Sequence, residues 1–298
     1  MGILALLAAI LIPLILIPRL AAEKIAVISL SGTITADSSS LFPTSTITPD
    51  LVRDCLTRAE EDKEVKAVVL YIDSPGGEVA PYQEILREIE KVKETKYIVV
   101  SMGGTAASGG YYIATQAHKT VALPTTMTGS IGVISAIPNI EGFLEKLGIQ
   151  IEIFTGGKYK DMYQGLRELT PEEEETMQGM INEYYEQSIN VVAEGRELSR
   201  EDVRDLATGQ IYTGTEAKEL RLVDELGDVN TAIDLAAELA NIEAPIVEYH
   251  QPHRVTLRSL LGLADAIKAR ISGLSAQDIL LLEILHHNYK QPLFLYQS

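Results

Sequence analysis

The sequence predicts an α/β fold with a mostly parallel sheet and a helical C-terminal half. Three observations carry this. Short β-branched runs alternate with helical stretches between residues 25 and 154, several runs are apolar throughout, and the pattern turns helical from Thr170. A strand that is apolar at every position suits a sheet covered on both faces, and strands separated by helices imply right-handed βαβ crossovers.

Taken in order, the chain opens with an almost unbroken apolar run from Ile3 to Pro18, closed by Arg19. A spanning helix needs about 20 such residues and tolerates prolines like Pro13 and Pro18. Residues 1–22 are therefore expected to be an N-terminal membrane anchor. A signal sequence cleaved near Leu20-Ala21-Ala22 is the competing reading. Arg19 and Lys24, read literally by the positive-inside rule, leave the following domain in the cytoplasm.

The predicted strands are IAVISL (25–30), VKAVVLYI (65–72), YIVVS (97–101), KTVAL (119–123), GVIS (132–135) and IQIEIF (149–154). Helices are expected near 49–61, 79–94, 107–117 and 139–147. Thr170-Pro171-Glu172-Glu173 is a capping box with proline in its first turn, opening a long helix to about Glu194. Glu172 to Glu175 read as charges favoured by the helix dipole, because successive helical positions point apart and do not make a metal site. Shorter helices follow near 199–207, 214–220 and 228–240. A body over 23–244 and a helical tail over 245–298 complete the organisation. The tail alternates apolar and polar positions at helical spacing, which suits packing on the domain, on a second subunit or on a membrane surface.

Composition narrows the functions. The 298 residues are 46% hydrophobic and 22% charged, an ordinary globular balance, and the net charge of −17 argues against nucleic acid as a partner. A single cysteine, Cys55, rules out an intrachain disulfide and reads as a core filler. The five histidines lack metal-ligand spacing, so no metal or other cofactor is expected.

Two glycine-rich turns follow predicted strands: Asp73-Ser74-Pro75-Gly76-Gly77, and Gly103-Gly104-Thr105-Ala106-Ala107-Ser108-Gly109-Gly110. Neither has the spacing of a dinucleotide or phosphate loop. Both can direct main-chain N–H groups at a ligand, as an oxyanion hole does. Ser108 stands among small residues at a helix start, which suits either a nucleophile or an N-cap. No histidine is placed to activate it; His118 lies at the far end of the same short helix. A lysine base is then the working alternative, and it requires burial to lower its pKa. Lys160, after the run 149–154 and the turn Thr155–Tyr159, is the candidate. A solvated loop lysine is the plain reading of the same residue.

The segments YIDSPGGEV, GGTAASGGYYIA, TGSIGVI and GGKYKDM, followed by GQIYTGTEAKELRLVDELGDVNTAI, resemble the short-chain signal peptide peptidase A proteins. These are serine peptidases of the ClpP/crotonase superfamily, and the resemblance covers residues 24 to 240. It implies a repeated ββα/βαβ core, Ser108 as nucleophile and Lys160 as general base. It further implies Gly77 and Gly109 as oxyanion donors and Ser130 as a hydroxyl that orients the lysine. It also implies a single-pass cell-membrane protein with an extracytoplasmic catalytic domain, a homo-oligomeric ring, and remnant signal peptides or other unfolded apolar peptides as substrates. A site-specific membrane-protein protease, a crotonase-like acyl-CoA hydratase or isomerase, and a non-catalytic membrane scaffold are the rival readings.

Overall fold

A computed structural model describes residues 23–37 and 46–250. The expected N-terminal anchor, residues 1–22, and most of the expected C-terminal tail lie outside the described residues. Among those described, no helix is long and apolar enough to cross a membrane.

The sheet forms where the continuously apolar runs predict it. Strands β1 (Lys24–Ser31), β4 (Val65–Ser74), β5 (Tyr97–Ala107) and β6 (Lys119–Ala122) lie side by side and parallel. Two further parallel strands flank them, β9 (Glu225–Leu226) beside β6 and β10 (Ile246–His250) beside β1. The expected boundary at 244 therefore falls short, because the sheet continues through residue 250. A small pair, β2 (Thr33–Ile34) and β3 (Thr46–Ile47), sits apart from the main sheet.

Successive side chains of a strand face opposite ways, and both faces here are apolar. Ile25, Val27, Ala67, Val69 and Val99 meet Ala232, Ile233 and Ala236 of α8 (Val229–Ala240). Ala26, Ile28, Val68, Leu70 and Val100 belong to the larger core on the other side. That core takes in residues of α1 (Pro49–Glu61), α2 (Val79–Lys93), α3 (Gly109–Thr115) and α5 (Pro171–Arg196). Cys55 is buried there. The fold is the mixed α/β, mostly parallel architecture of ClpP-like proteins.

The capping box at Thr170 is present: its hydroxyl accepts from the Glu173 N–H and the Glu173 carboxylate accepts from the Thr170 N–H. Beyond the long α5 come α6 (Arg200–Leu206) and α7 (Gly214–Glu219). Two strand expectations fail. Residues 132–135 and 149–154 are not hydrogen-bonded strands, and between them only α4 (Glu141–Lys146), with no buried residue, is regular. Conversely, β7 (Met127–Gly129) and β8 (Ile211–Thr213) form without a sequence signal, β7 parallel to β5 and antiparallel to β8.

Candidate active site

Ser108 occupies the carboxyl end of β5, where an open α/β sheet presents its ligands. It is the residue before α3, yet its side chain makes no capping hydrogen bond. Its backbone lies at φ 52°, ψ −123°, a region a non-glycine residue adopts only under constraint. The constraint is visible on both sides. The Ser108 N–H donates to the Gly129 carbonyl at 2.8 Å, and its carbonyl accepts from Tyr112 N–H at 2.9 Å. Ser108 is thus the N-cap of α3 by position, but its hydroxyl does no capping. The conformation is that of a strand-to-helix elbow that lifts a hydroxyl out of the chain.

The first glycine turn closes over this elbow. A Cβ on Gly76 would stand 2.9 Å from the Ser108 Cβ and 2.8 Å from the Gly109 nitrogen, and Gly76 has φ +101°. Only glycine allows the two turns to touch in this way. Gly77 bridges to Ile34, whose carbonyl oxygen would lie 2.0 Å from any Cβ added there. The Gly77 nitrogen in turn lies 3.5 Å from the Cβ position of Gly109. The two glycine turns thus pack together beside Ser108, and neither the Gly77 nor the Gly109 N–H is among the turn, loop and cap hydrogen bonds of the described residues.

The short strand β7 positions the next element. Ala107 pairs with Gly129, so the residues that follow them, Ser108 and Ser130, emerge together. Ser130 also has positive φ, +49°, and its N–H donates to the Gln210 carbonyl at 2.8 Å. Both serines line a cleft of about 320 Å³, walled by Gly132, Val133, Ile134, Tyr185, Ala207, Thr208 and Gly209. Among the described residues, no carboxylate lines it. Sequence reasoning missed these walls. Ala207, Thr208 and Tyr185 are far from Ser108 in sequence and carry no local motif. Tyr112, one turn after Ser108, was also missed: its hydroxyl accepts from Gly132 N–H at 2.8 Å and donates to the Gly132 carbonyl at 3.1 Å. The burial of Tyr112 pushes its phenol well above the ordinary range, so it stays neutral.

Lys160 is not among the described residues that line this cleft. The expected strand mouth does not form, because 149–154 is unpaired, and Lys160 sits on an exposed turn. His118 is engaged elsewhere, its Nδ1 accepting the Ile98 N–H at 3.0 Å. Desolvation lowers its pKa. Among the described residues no cluster of His, Cys, Asp or Glu could hold a metal ion.

The chain resembles known proteins along most of its length. The model of peptidase family S49 matches residues 90–243, and that of Clp protease matches residues 38–131. A provisionally named protease of Synechocystis sp. is 38% identical over 240 residues, covering 80% of this chain and 87% of its own. A provisionally named signal peptide peptidase SppA of Enterococcus faecium is 37% identical, covering 80% of this chain and 71% of its own. The chloroplastic serine protease SPPA of Arabidopsis thaliana is 32% identical over 82% of this chain, which matches 37% of that longer protein. The chain belongs to peptidase family S49 and is a serine peptidase.

Proposed function

We propose that the chain is a membrane-anchored endopeptidase that cleaves remnant signal peptides and other unfolded apolar peptides with a Ser108–Lys160 dyad. The reading rests on one observation above all. Ser108 is 3% exposed and held in a strained elbow with its hydroxyl uncommitted to a cap, and the Gly76–Gly77 turn packs against it and against Gly109. Acyl transfer would use the N–H groups of Gly77 and Gly109 as donors fixed before charge develops.

Lys160 reaches the serine from a neighbouring copy in a homo-oligomeric ring. Its turn ends an arm, residues 138–165, that closes on itself where Ile140 N–H donates to the Gly165 carbonyl at 2.9 Å. Phe143 is 60% and Phe154 89% exposed on this arm, a surface suited to a second copy. Docking there excludes water around the amine, as a lysine base requires.

The uncharged amine takes the Ser108 proton as the oxygen attacks the scissile carbonyl. Gly77 and Gly109 receive the oxyanion, each donor worth about 3 kcal/mol. The ammonium then protonates the leaving amine, and water releases the acyl-enzyme. Ser130 orients the amine. The apolar run over residues 3–18 anchors the chain, with the catalytic domain on the extracytoplasmic side.

The test is complementation between copies. Ser108→Ala and Lys160→Ala are each expected to abolish peptide cleavage while leaving the fold intact. Co-assembled, they should regain a fraction of wild-type activity, because a mixed ring places an intact serine beside an intact lysine. Full activity in either variant alone would falsify the dyad, and a dead mixture would place both groups in one chain.

A further inference from the structure

The turn that carries Lys160 is exposed and has little packing of its own. A Cβ added at Gly156 or Gly157 would meet nothing within 4 Å, and residues Thr155 to Lys160 all face solvent. A general base on a loose turn would rarely occupy productive geometry, since proton transfer demands hydrogen-bond distance and alignment. Something must therefore fix it, and burial resumes immediately after it, at Asp161 and Met162.

We infer that Arg167 is a positioning residue for Lys160, fastening its turn to the first turn of α5 by bridging Asp161 to Glu173. Nε of Arg167 donates to Asp161 Oδ2 at 2.7 Å. Nη2 and Nη1 donate to the two oxygens of Glu173 at 2.7 and 2.8 Å, and Nη1 also reaches the Glu168 carbonyl at 2.9 Å. Glu173 is itself immobilised, 2% exposed and locked in the capping box with Thr170. A continuous path thus runs from a 26-residue helix through Glu173 and Arg167 to Asp161, the residue adjoining Lys160 in the chain. On the other side of Lys160, Glu172 takes an ion pair from Lys158 and a hydrogen bond from Tyr159. Those contacts are exposed and contribute little. The Arg167 bridge is the one with buried carboxylates.

The geometry requires arginine. Its planar fork meets both oxygens of one carboxylate while a third N–H addresses another; an ammonium is a point charge and cannot do both. The inference rests on Lys160 being the base, and it adds what makes that base effective. A displaced amine affects the proton-transfer step and leaves peptide binding in the Ser108 cleft untouched, so the loss belongs in kcat.

The experiment compares Arg167→Lys, Asp161→Asn and Lys160→Ala in the full-length, assembled protein. Arg167→Lys is expected to lower kcat about 10- to 100-fold with KM within about twofold. The pH–rate profile should move to higher pH, a shift that a purely structural role would not produce. Asp161→Asn leaves the Arg167–Glu173 pair in place and should give the same kcat loss, so it carries the test if the arginine variant misfolds. The double variant should be no worse than either single one, since both cut the same link. Wild-type kcat and pH profile in folded Arg167→Lys or Asp161→Asn, beside a dead Lys160→Ala, overturns the inference alone. An active Lys160→Ala overturns the dyad and the inference with it.

Discussion

Ser108 shows what a strained backbone costs the chain that holds it. A non-glycine residue at φ 52°, ψ −123° stores about 1–3 kcal/mol of backbone strain. Glycine adopts this region freely, at an entropic cost of about 0.5–1 kcal/mol. Ser108→Gly is therefore expected to be more stable than Ser108→Ala by about 1 kcal/mol in denaturant titration, although neither variant cleaves. Equal stability would mean that the elbow is relaxed. Tyr112 makes a complementary case. Tyr112→Phe leaves the Gly132 N–H and carbonyl without their phenolic partner beneath the cleft, a change expected to cost about 1–3 kcal/mol. Peptide hydrolysis should fall with it, because Gly132 follows Ser130 by two residues. The junction at Ser108 was legible from its small neighbours, which suit a nucleophile or an N-cap alike, and only the family resemblance chose between them. Tyr112 was not: within the pattern YYIA it looks like any core aromatic, and its role exists only once Gly132 arrives from the loop after β7.

Elements were legible where burial is uniform along them and illegible where a partner decides. The runs at 65–72 and 97–101 are apolar at almost every position, so two-sided burial followed from composition alone. IQIEIF carries equally good alternation but has no strand beside it, and β-propensity without a neighbour makes no ladder. Strands β7, β8 and β9 are two or three residues long, too short to show a period, and pairing alone creates them. Close approach can also reverse a propensity. Gly195 lies within α5, where alanine normally stabilises a helix by about 1 kcal/mol. Here a Cβ would meet the Thr115 carbonyl oxygen at 2.4 Å, at the end of α3. Gly195→Ala is expected to destabilise by about 1–3 kcal/mol and to lower activity by displacing the helix behind Ser108. A raised Tm would show that α5 can step away at no cost. At the other end of α5, hydrogen bonds from Arg167 and Thr170 pull the Glu173 carboxyl down from 4.5 to about 2. A depressed folded-state pKa gives stability that is complete above about 4.5 and lost as pH falls toward 2. Acid unfolding of wild type should show this dependence, and Glu173→Gln should flatten it.

Across the whole molecule the arm is the part that one chain leaves unfinished. The sheet and its helices bury nearly all their large apolar side chains, yet residues 138–165 hold many of the exceptions. Phe143, Leu147, Ile149, Ile151 and Phe154 are 46% to 89% exposed, and α4 buries nothing. Burying a phenylalanine fully is worth about 1.5–3 kcal/mol, so five such side chains held in water represent a large unrealised gain. The same arm carries Lys160, so under the proposed dyad assembly and catalysis are expected to fail together. Phe154→Asp adds a charge at the most exposed of these positions, where the single chain buries little of the side chain. Its thermal stability as a monomer should match that of the wild-type chain. Light scattering should show dissociation of the oligomer, and peptide hydrolysis should fall about 10-fold or more at the same concentration. Hydrolysis should also recover as protein concentration rises, since mass action restores a weakened interface. A dispersed variant that still cleaves at the wild-type rate would mean that one chain brings its own lysine to its own serine.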